Sequence, residues 1–111
     1  GRGSVCINTG GEKVFPEEVE EALKTHPGVR DAVVVGIPDE RFGESICAVV
    51  EAPSGMTGTE LVAHVRHRLA AYKAPRHVLV VDSVERAPNG KADYPRWRRE
   101  AAERVAGSWE R

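Results

Sequence analysis

Ala32-Val33-Val34-Val35-Gly36-Ile37 is a nearly continuous run of β-branched and small apolar residues. Such a run is typical of a β-strand that is buried on both faces of a sheet. The polar stretch Pro38 to Glu44 predicts a loop, and Ile46 to Glu51 predicts a second strand that pairs antiparallel with the first. Val78 to Val81 predicts a third strand. The centre of the chain is therefore predicted to be a three-stranded sheet.

Upstream of this sheet, two short β-prone pieces (residues 4–8 and 13–15) surround Thr9-Gly10-Gly11-Glu12. Paired glycines between such pieces predict a tight hairpin or loop. Pro16 suits the first turn of a helix, which Pro27-Gly28 would end. The apolar positions of this helix are Val19, Ala22 and Leu23, and its predicted water-facing positions are Glu17, Glu18, Glu20 and Glu21. Glu20 and Lys24 have the spacing of a favourable ion pair within a helix.

Downstream of the second strand, Thr57 and Glu60 have the spacing of a capping box at the start of another helix. The apolar stripe of that helix predicts an end near Tyr72 and consists of Leu61, Val62, Val65 and Leu69. Residues 82–90 form a turn-rich connection, and Asp93 is predicted to cap a final helix with the stripe Tyr94, Trp97, Ala101 and Val105. The predicted fold is α+β, with an N-terminal β-hairpin followed by a three-stranded sheet flanked by helices.

The composition is that of one small domain over residues 1–111, with 41% apolar and 30% charged residues. The net charge of −1 creates no field that would attract nucleic acid or an anionic membrane surface. No apolar run approaches the roughly 20 residues that a bilayer span requires, and no secretory signal is present, so we expect a cytoplasmic protein. The first residue is Gly1 rather than Met, which leads us to expect a processed chain or an excised segment.

The two cysteines, Cys6 and Cys47, each lie in an apolar, strand-like setting, and we expect reduced, buried thiols. A metal site would have to recruit the four histidines, which are His26, His64, His67 and His77. His64 and His67 are three positions apart on a predicted helix, but no Cys-x-x-Cys or His-Glu-x-x-His pattern accompanies them. We therefore expect no metal site.

Two segments have a composition suited to chemistry. In Ala87-Pro88-Asn89-Gly90-Lys91, proline at the second position and glycine at the fourth predict a type I turn at a strand end, which would present Lys91 on a stiff base. A lysine ammonium is a compact point charge that suits a phosphate or a developing carboxylate charge. Gly10-Gly11 could instead line a passage that a ligand approaches closely. From either segment alone, a surface lysine and a plain turn are the alternatives.

The segments of interest follow one another in a definite order. They are Gly1-Arg2, Gly10 to Glu20 (GGEKVFPEEVE), Val33 to Asp39 (VVVGIPD), Gly43-Glu44, Tyr72 to Pro75 (YKAP) and Pro88 to Lys91 (PNGK). In this order and spacing the chain resembles the C-terminal domain of the acyl-adenylate-forming (AMP-binding) superfamily, from residue 1 to about residue 98. That superfamily contains acyl-CoA synthetases, the adenylation domains of peptide synthetases and beetle luciferases.

The resemblance implies a two-step enzyme. A carboxylate attacks ATP to give an acyl-adenylate and pyrophosphate, and a thiol then displaces AMP to give a thioester. A large N-terminal domain, absent from this chain, binds ATP and the acid, while the small C-terminal domain rotates between the steps. ATP with Mg and CoA are substrates of the full enzyme. The chain lacks the family's phosphate-binding loop, so alone it is expected to bind none of them tightly and to be inactive.

The resemblance also implies roles for individual residues. Lys91 would be the adenylation lysine, bridging the acid's carboxylate and the α-phosphate. Arg2 would lie near the nucleotide, and Ser4 occupies the hinge position, where the family usually has Asp or Lys; a cloning remnant over residues 1–4 is another explanation. The predicted lining of the pantetheine tunnel is Gly10, Gly11 and Glu12. The predicted contacts to the CoA nucleotide are Arg41, Gly43 and Glu44.

Thr9 to Glu20 looks like the equivalent block of bacterial fatty-acyl and sterol-side-chain CoA ligases. The expected acid is therefore a fatty or sterol-derived one, and the expected partners are CoA and the chain's own N-terminal domain. Two alternatives stay open at this point. The thiol could be the phosphopantetheine of a carrier protein, or the chain could be a stand-alone, non-catalytic interaction module.

Overall fold

The computed structural model describes residues 5–109, and the side chains of residues 5–106. In chain order the elements are β1 (Ile7–Thr9), β2 (Glu12–Val14), α1 (Pro16–Lys24), β3 (Asp31–Asp39), β4 (Gly43–Glu51), α2 (Gly58–Arg66), β5 (His77–Val81) and α3 (Tyr94–Trp109). A short 3-10 helix, Ala71–Lys73, lies between α2 and β5. No helix within the described part of the chain is long and apolar enough to cross a bilayer.

All five strands belong to one sheet, in which β4 is central. β3 pairs antiparallel with β4 along its whole length, from Asp31 opposite Glu51 to Asp39 opposite Gly43. On the other side of β4, β5 pairs in parallel, and the β1–β2 hairpin joins the sheet where Thr9 faces Gly43. The predicted α+β fold and the antiparallel central pair are confirmed. The structure adds that the hairpin extends the same sheet.

The sheet separates two apolar layers, because the side chains of successive strand residues point to opposite faces. One layer contains α1 and α2 and includes Val34 and Val50 from the sheet. The other contains α3 and includes Val33 and Val49. Residues 32–37 of β3 are all buried. The prediction of a strand buried on both faces is therefore confirmed.

The predicted helix starts are confirmed by their cap geometry. Pro16 is the first residue of α1. At α2, Thr57 Oγ1 accepts the Glu60 N–H at 3.1 Å, while the Glu60 carboxylate accepts the Thr57 N–H at 3.3 Å. At α3, Asp93 Oδ1 accepts the Arg96 N–H at 3.1 Å. The predicted apolar stripe of α3 is buried at Tyr94, Trp97 and Ala101.

The position of Glu20 on the helix predicted a water-facing side chain, but Glu20 is only 4% exposed. Its carboxylate accepts the Val34 N–H at 2.9 Å. Because β3 pairs on one side only, this N–H needs an acceptor other than a neighbouring strand. Lys24 pairs instead with Glu21, at 3.2 Å. The predicted Glu20–Lys24 ion pair was therefore wrong.

Two predicted boundaries also differ from the structure. α2 ends at Arg66 rather than near Tyr72, because the N–H groups of residues 68 and 69 both bond to the Val65 carbonyl at 2.9 Å and close the helix in a turn. Leu69 still packs against the core from this turn, so the apolar spacing continues past the helix end. The predicted loop over residues 38–44 is shorter in the structure, where it consists of residues 40–42, because β3 extends to Asp39 and β4 begins at Gly43.

Candidate functional site

The diglycine segment and the Lys91 turn lie at opposite ends of the β3–β4 ladder. At one end, the Gly10 N–H donates to the Phe42 carbonyl at 2.9 Å. At the other end, Arg86 links Asp31 to the turn that carries Lys91. β3 has nine residues, so at a rise of about 3.3 Å per residue the two ends are roughly 27 Å apart. The sheet therefore holds the two candidate loci apart.

Gly10 and Gly11 form the two-residue turn between β1 and β2. Their φ angles are +59° and +86°, a left-handed pair typical of a type I′ hairpin turn, which glycine adopts without steric cost. A Cβ added at Gly10 would approach Phe42 Cδ1 at 3.4 Å, whereas a Cβ at Gly11 would meet no atom within 4 Å. Gly11 therefore presents bare backbone at the tip of the hairpin.

An open cleft of about 540 Å³ lies beside this hairpin. The hairpin, the β3–β4 turn, α2 and residues 71–77 all contribute to its walls. The lining residues include Gly10, Glu12, Phe42, Tyr72 and Arg76. Two of the three predicted tunnel residues thus line one cleft, and Gly11 lies next to them in the same turn.

Phe42 is flanked by two arginines beside the cleft. The Cζ of Arg76 lies 4.5 Å from the ring centroid and that of Arg41 lies 5.3 Å from it, within the range of cation–π contacts. Asp39 fixes the turn that presents the ring, since its Oδ1 accepts the N–H groups of Arg41 at 2.8 Å and Phe42 at 2.9 Å. These backbone bonds, chiefly that from Phe42, lower the pKa of Asp39. The result is a patch of two guanidinium groups beside one aromatic ring, on a fixed turn that also carries the carboxylates of Asp39 and Glu40.

Gly43 and Glu44 start β4 directly beside the hairpin. Gly43 has a φ of +83°, and Glu44 Oε1 accepts the Asn8 N–H at 2.8 Å. The structure therefore brings the predicted residues Gly10, Gly43 and Glu44 together. The carboxylate of Glu44 already has a partner in the hairpin, whereas Arg41 is exposed.

Residues 87–91 form a closed turn. The Gly90 N–H donates to the Ala87 carbonyl at 2.8 Å, and the Ala87 N–H donates to the Lys91 carbonyl at 2.9 Å. The Lys91 N–H donates to Asn89 Oδ1 at 3.0 Å. Both backbone polar groups of Lys91 are thus engaged, and its side chain is exposed. The prediction that this turn lies at a strand end was wrong, since β5 ends at Val81, six residues before Ala87.

The connection that carries this turn is held through Val84. The Val84 N–H donates to Glu51 Oε1 at 3.1 Å, and the Val84 carbonyl accepts the indole N–H of Trp97 at 2.9 Å. Val84 itself is buried in the layer beneath α3. One residue of the connection is therefore fixed to both β4 and α3.

Arg86 links the Lys91 turn to the start of β3. Its Nε donates to Asp31 Oδ2 at 2.7 Å and its Nη2 donates to Asp31 Oδ1 at 3.1 Å, the two-point geometry that makes an arginine–carboxylate pair strong. Its Nη1 donates to the Gly90 carbonyl at 3.0 Å. Partial burial opposes ionisation of Asp31, but the bonds from Arg86 lower the pKa of this carboxyl. The pair is therefore charged at neutral pH.

A second long-range pair closes the open edge of β3. The Tyr94 hydroxyl donates to Glu20 Oε2 at 2.8 Å and lies 3.1 Å from Oε1. Burial raises the pKa of Glu20 and also that of Tyr94. Because α1 and α3 lie on opposite faces of the sheet, this bond joins the two layers around the edge of β3.

Neither thiols nor histidines form a reactive cluster in the part of the chain that the structure describes. Burial raises the pKa of Cys47 to about 12, which makes this thiol a poor nucleophile at neutral pH. Cys6 is free and only half-buried, so the expectation of a buried thiol was wrong for Cys6. His64 Nε2 lies 2.7 Å from Thr25 Oγ1, and its ring packs against His26. No group of three or more possible ligands over residues 5–106 could hold a metal ion.

Two predicted site residues are outside the described part of the chain, and several residues that shape the two candidate loci were not predicted. Arg2 and Ser4, assigned to the nucleotide and the hinge, are outside the described residues. Arg76, beside Phe42, could have been suspected from its position directly after the Tyr72 to Pro75 block. The Arg86–Asp31 pair had no sequence signal, because 55 positions separate its members.

Comparison with known proteins gives a consistent set of relatives. A family model, the AMP-binding enzyme C-terminal domain, matches residues 18–91. The chain is 56% identical over 105 residues to a medium/long-chain-fatty-acid–CoA/3-oxocholest-4-en-26-oate–CoA ligase of Mycolicibacterium smegmatis, covering 93% of this chain and 19% of the relative. It is 60% identical over 99 residues to a 3-oxocholest-4-en-26-oate–CoA ligase of Rhodococcus rhodochrous, covering 87% and 18%.

A solved structure agrees with these relatives. The fatty acyl CoA synthetase of Mycobacterium tuberculosis superposes with a TM-score of 0.83 at 34% identity, covering 88% of this chain and 20% of that one. The chain thus spans about a fifth of the length of the proteins that it matches.

Proposed function

The chain belongs to the AMP-binding enzyme C-terminal domain family, as the order of its motifs predicted, and we propose that it is the mobile C-terminal domain of an AMP-forming acyl-CoA synthetase. The full enzyme would convert ATP and a carboxylic acid to an acyl-adenylate and then to a CoA thioester. The observation that carries this proposal is the placement of the two motifs at opposite ends of one rigid ladder. Each end would serve a different half-reaction.

A separation of roughly 27 Å, from the strand rise over the nine residues of β3, is too large for both loci to act on one reacting atom in a single pose. Side-chain chemistry requires groups within hydrogen-bonding reach of the reacting atoms. The domain would therefore have to turn between steps, presenting Lys91 first and the diglycine hairpin second. Arg2 and Ser4 would lie at the junction about which it turns.

In the first step, Lys91 would place its ammonium between the acid's carboxylate and the α-phosphate of ATP, where negative charge develops. A preorganised cation at that point stabilises the transition state more than the ground state. The closed 87–91 turn supports this role, because it engages the backbone of Lys91 and leaves the side chain exposed. ATP with Mg would be held by the large N-terminal domain, which is this chain's expected partner.

In the second step, the hairpin would line the tunnel for the pantetheine arm of CoA. The absence of a side chain at Gly10 and Gly11 lets a thin chain approach the backbone, and Glu12 borders the same cleft. The arginines around Phe42 suit the phosphates of CoA, since guanidinium groups pair with phosphate oxygens at two points. Arg41 would contact the CoA nucleotide directly, whereas Gly43 and Glu44 would shape the turn that presents it.

The acid is proposed to be a medium- or long-chain fatty acid or a sterol side-chain carboxylate, as the names of the relatives suggest. Residues that select the acid would belong to the N-terminal domain, so the isolated chain is expected to be inactive and to bind ATP and CoA only weakly. We retain a cytoplasmic location as part of the same proposal.

The test is to separate the half-reactions in the full-length ligase that carries this domain. Lys91→Ala is expected to lower pyrophosphate release by about 1000-fold, the upper range for loss of one transition-state charge partner. Thioester formation from supplied acyl-adenylate should continue at the parental rate. Lys24→Ala is the matched control, because Lys24 pairs with Glu21 on the surface of α1 and, among the described residues, forms no hydrogen bond with the 87–91 turn. An equal fall in both half-reactions would contradict the proposal.

The same assay distinguishes the acceptor thiol. With CoA as the acceptor, acyl-CoA should accumulate after adenylation. If a phosphopantetheine-bearing carrier protein were loaded and CoA were not, the alternative acceptor would replace the one proposed. A full-length protein that forms neither adenylate nor thioester with any acid would favour a non-catalytic interaction module.

A further inference from the structure

From the contacts of Arg86, we infer that Arg86, clamped to Asp31, is a positioning residue that sets the location of Lys91 for the adenylation half-reaction. This inference rests on the proposed role of Lys91 and deepens it. Arg86 would not touch the substrates. It would act by fixing the carbonyl of Gly90, the residue immediately before Lys91.

The clamp consists of the hydrogen bonds of a single guanidinium group. One guanidinium group bonds to both oxygens of Asp31, at 2.7 and 3.1 Å, and to the Gly90 carbonyl at 3.0 Å. Its Nη2 also lies 3.4 Å from the Ala32 carbonyl. The planar fork of arginine can make these bonds together because its donors diverge in one plane. The base of the turn is thus tied to the first two residues of β3.

No other side chain over residues 5–106 forms a hydrogen bond between this turn and the sheet. Among the hydrogen bonds of the described residues, those within the 87–91 turn join its own members: Ala87 to Gly90, Ala87 to Lys91 and Asn89 to Lys91. The Val84 anchors hold the connection before Arg86 but do not reach the turn. Without Arg86 the turn would keep its shape but lose its hydrogen bonds to β3, and only Val84 before it and Ala92 after it would still hold its flanks to the core.

The partner of Arg86 is suited to holding a fixed position. Asp31 is the first residue of β3, and its Oδ1 also accepts the Ala32 N–H at 2.8 Å. The side chains are 28% and 21% exposed, so the pair is shielded from water more than an ordinary surface ion pair. A displacement of about 1 Å at a catalytic group can cost about 100-fold in rate, which makes such a clamp consequential.

The experiment uses the full-length ligase with four variants: Arg86→Gln, Arg86→Lys, Asp31→Asn and the control Arg99→Gln. Arg99 is exposed on α3 and matches the chemical change without touching the turn. Arg86→Gln is expected to lower kcat for adenylation about 10- to 100-fold, with KM for ATP and the thioester-forming rate unchanged. Arg86→Lys should restore part of the rate, because one ammonium cannot reproduce the two-point contact. Asp31→Asn should resemble Arg86→Gln.

The outcomes separate this inference from the proposed function. If Lys91→Ala abolishes adenylation and Arg86→Gln and Asp31→Asn do not slow it, the positioning role is wrong and the proposed function stands. If the Arg86 and Asp31 variants slow both half-reactions equally, or slow adenylation only in proportion to a loss of thermal stability, the pair is merely structural. If Lys91→Ala leaves adenylation intact, the proposed function and this inference fail together.

Discussion

The two ends of the β3–β4 ladder are held in different ways. At the diglycine end, backbone contacts join the turns directly, since Thr9 pairs with Gly43 and the Gly10 N–H bonds to the Phe42 carbonyl, and the carboxylates of Asp39 and Glu44 accept further backbone N–H groups. At the Lys91 end the contacts come from side chains, since Arg86 reaches Asp31 and Gly90. One end is fixed by strand pairing and turn geometry, and the other by an ion pair and directed hydrogen bonds.

The difference follows from what each end is proposed to do. A tunnel for a thin ligand requires missing side chains, so backbone pairing must hold the walls. A catalytic lysine requires a point charge at one position, so its turn needs a tie to the sheet that strand pairing does not provide. We therefore expect a change at the Lys91 end to slow only adenylation, and a change at the diglycine end to slow only thioester formation.

The sharpest test of this comparison uses two glycines with the same φ angle. Gly11 and Gly90 each have a φ of +86°, and a Cβ added at either would meet no atom within 4 Å. Alanine at each site therefore introduces similar backbone strain and no clash within this domain. We expect Gly11→Ala to slow thioester formation and Gly90→Ala to slow adenylation, each about 10- to 100-fold, because small misplacements at a reacting centre are costly.

Gly55→Ala is the control for this pair. Gly55 has a φ of +75° and equally open surroundings, and it belongs to the connection from β4 to α2 rather than to either motif. It should lose stability through strain, by about 1 kcal/mol, with both half-reactions at parental rates. If Gly11→Ala and Gly90→Ala slowed the same half-reaction, the two-ended assignment would be wrong.

A smaller effect is expected from the patch of two arginines beside Phe42 at the diglycine end. Arg76→Gln removes one guanidinium from the Phe42 ring and the cleft. If the patch holds CoA phosphates, KM for CoA should rise about tenfold, since a hydrogen bond to a charged group contributes on the order of 1.5 kcal/mol. Adenylation should be unaffected. Arg68→Gln, an exposed arginine just beyond α2, should change neither, and an unchanged KM for Arg76→Gln would remove the patch from the CoA site.

The hydrogen-bonded pair Tyr94 and Glu20, which lies between the two ends, should affect folding rather than catalysis. Tyr94→Phe deletes the hydroxyl that bonds to Glu20 and leaves the buried carboxylate with one fewer donor. The free energy of unfolding should fall by about 1 kcal/mol, the typical net value of such a bond. Tyr72→Phe, at an exposed tyrosine, is the control and should leave denaturant unfolding unchanged. Loss of catalysis by Tyr94→Phe without loss of stability would show a role that the geometry does not suggest.

The two ends also differ in how far the sequence alone could predict them. Paired glycines in β-prone sequence specify a hairpin turn through local backbone chemistry, so Gly10 and Gly11 were predicted correctly as a turn. A turn before Lys91 was likewise predicted from Pro88 and Gly90, and the bond from the Gly90 N–H to the Ala87 carbonyl closes it. Local rules decide such features, because they depend on residues a few positions apart.

Other features, among them the contacts that hold the Lys91 end, could not be predicted, because they depend on tertiary contacts. Glu20 has the spacing of a water-facing helix residue, and only the open edge of β3 explains why it is buried. Arg86 and Asp31 are distant in sequence and look like ordinary surface charges. The end of α2 was missed for a similar reason, since Leu69 packs against the core from a turn. In each case a long-range contact overrides the local pattern.

The smallest expected effect is a pH dependence that distinguishes the two aspartates ending β3. The pKa values of Asp31 and Asp39 both lie below their ordinary 3.8, so each stabilises the fold fully above about pH 3.8 and loses this contribution as the pH falls through its lowered pKa. The lowered pKa of Asp31 comes from its bonds to Arg86, whereas the lowered pKa of Asp39 comes from backbone N–H groups.

In denaturant unfolding between about pH 2 and 6, Asp31→Asn and Asp39→Asn should each reduce the fall in the free energy of unfolding at acid pH, which flattens the pH profile. Adding Arg86→Gln should change the profile little further in Asp31→Asn, where only its weaker electrostatic effect on Glu20 is left, but should flatten the profile again in Asp39→Asn. Equal responses to Arg86→Gln in both backgrounds would mean that the guanidinium does not act through Asp31, and the contrast between a side-chain-held end and a backbone-held end would then fail.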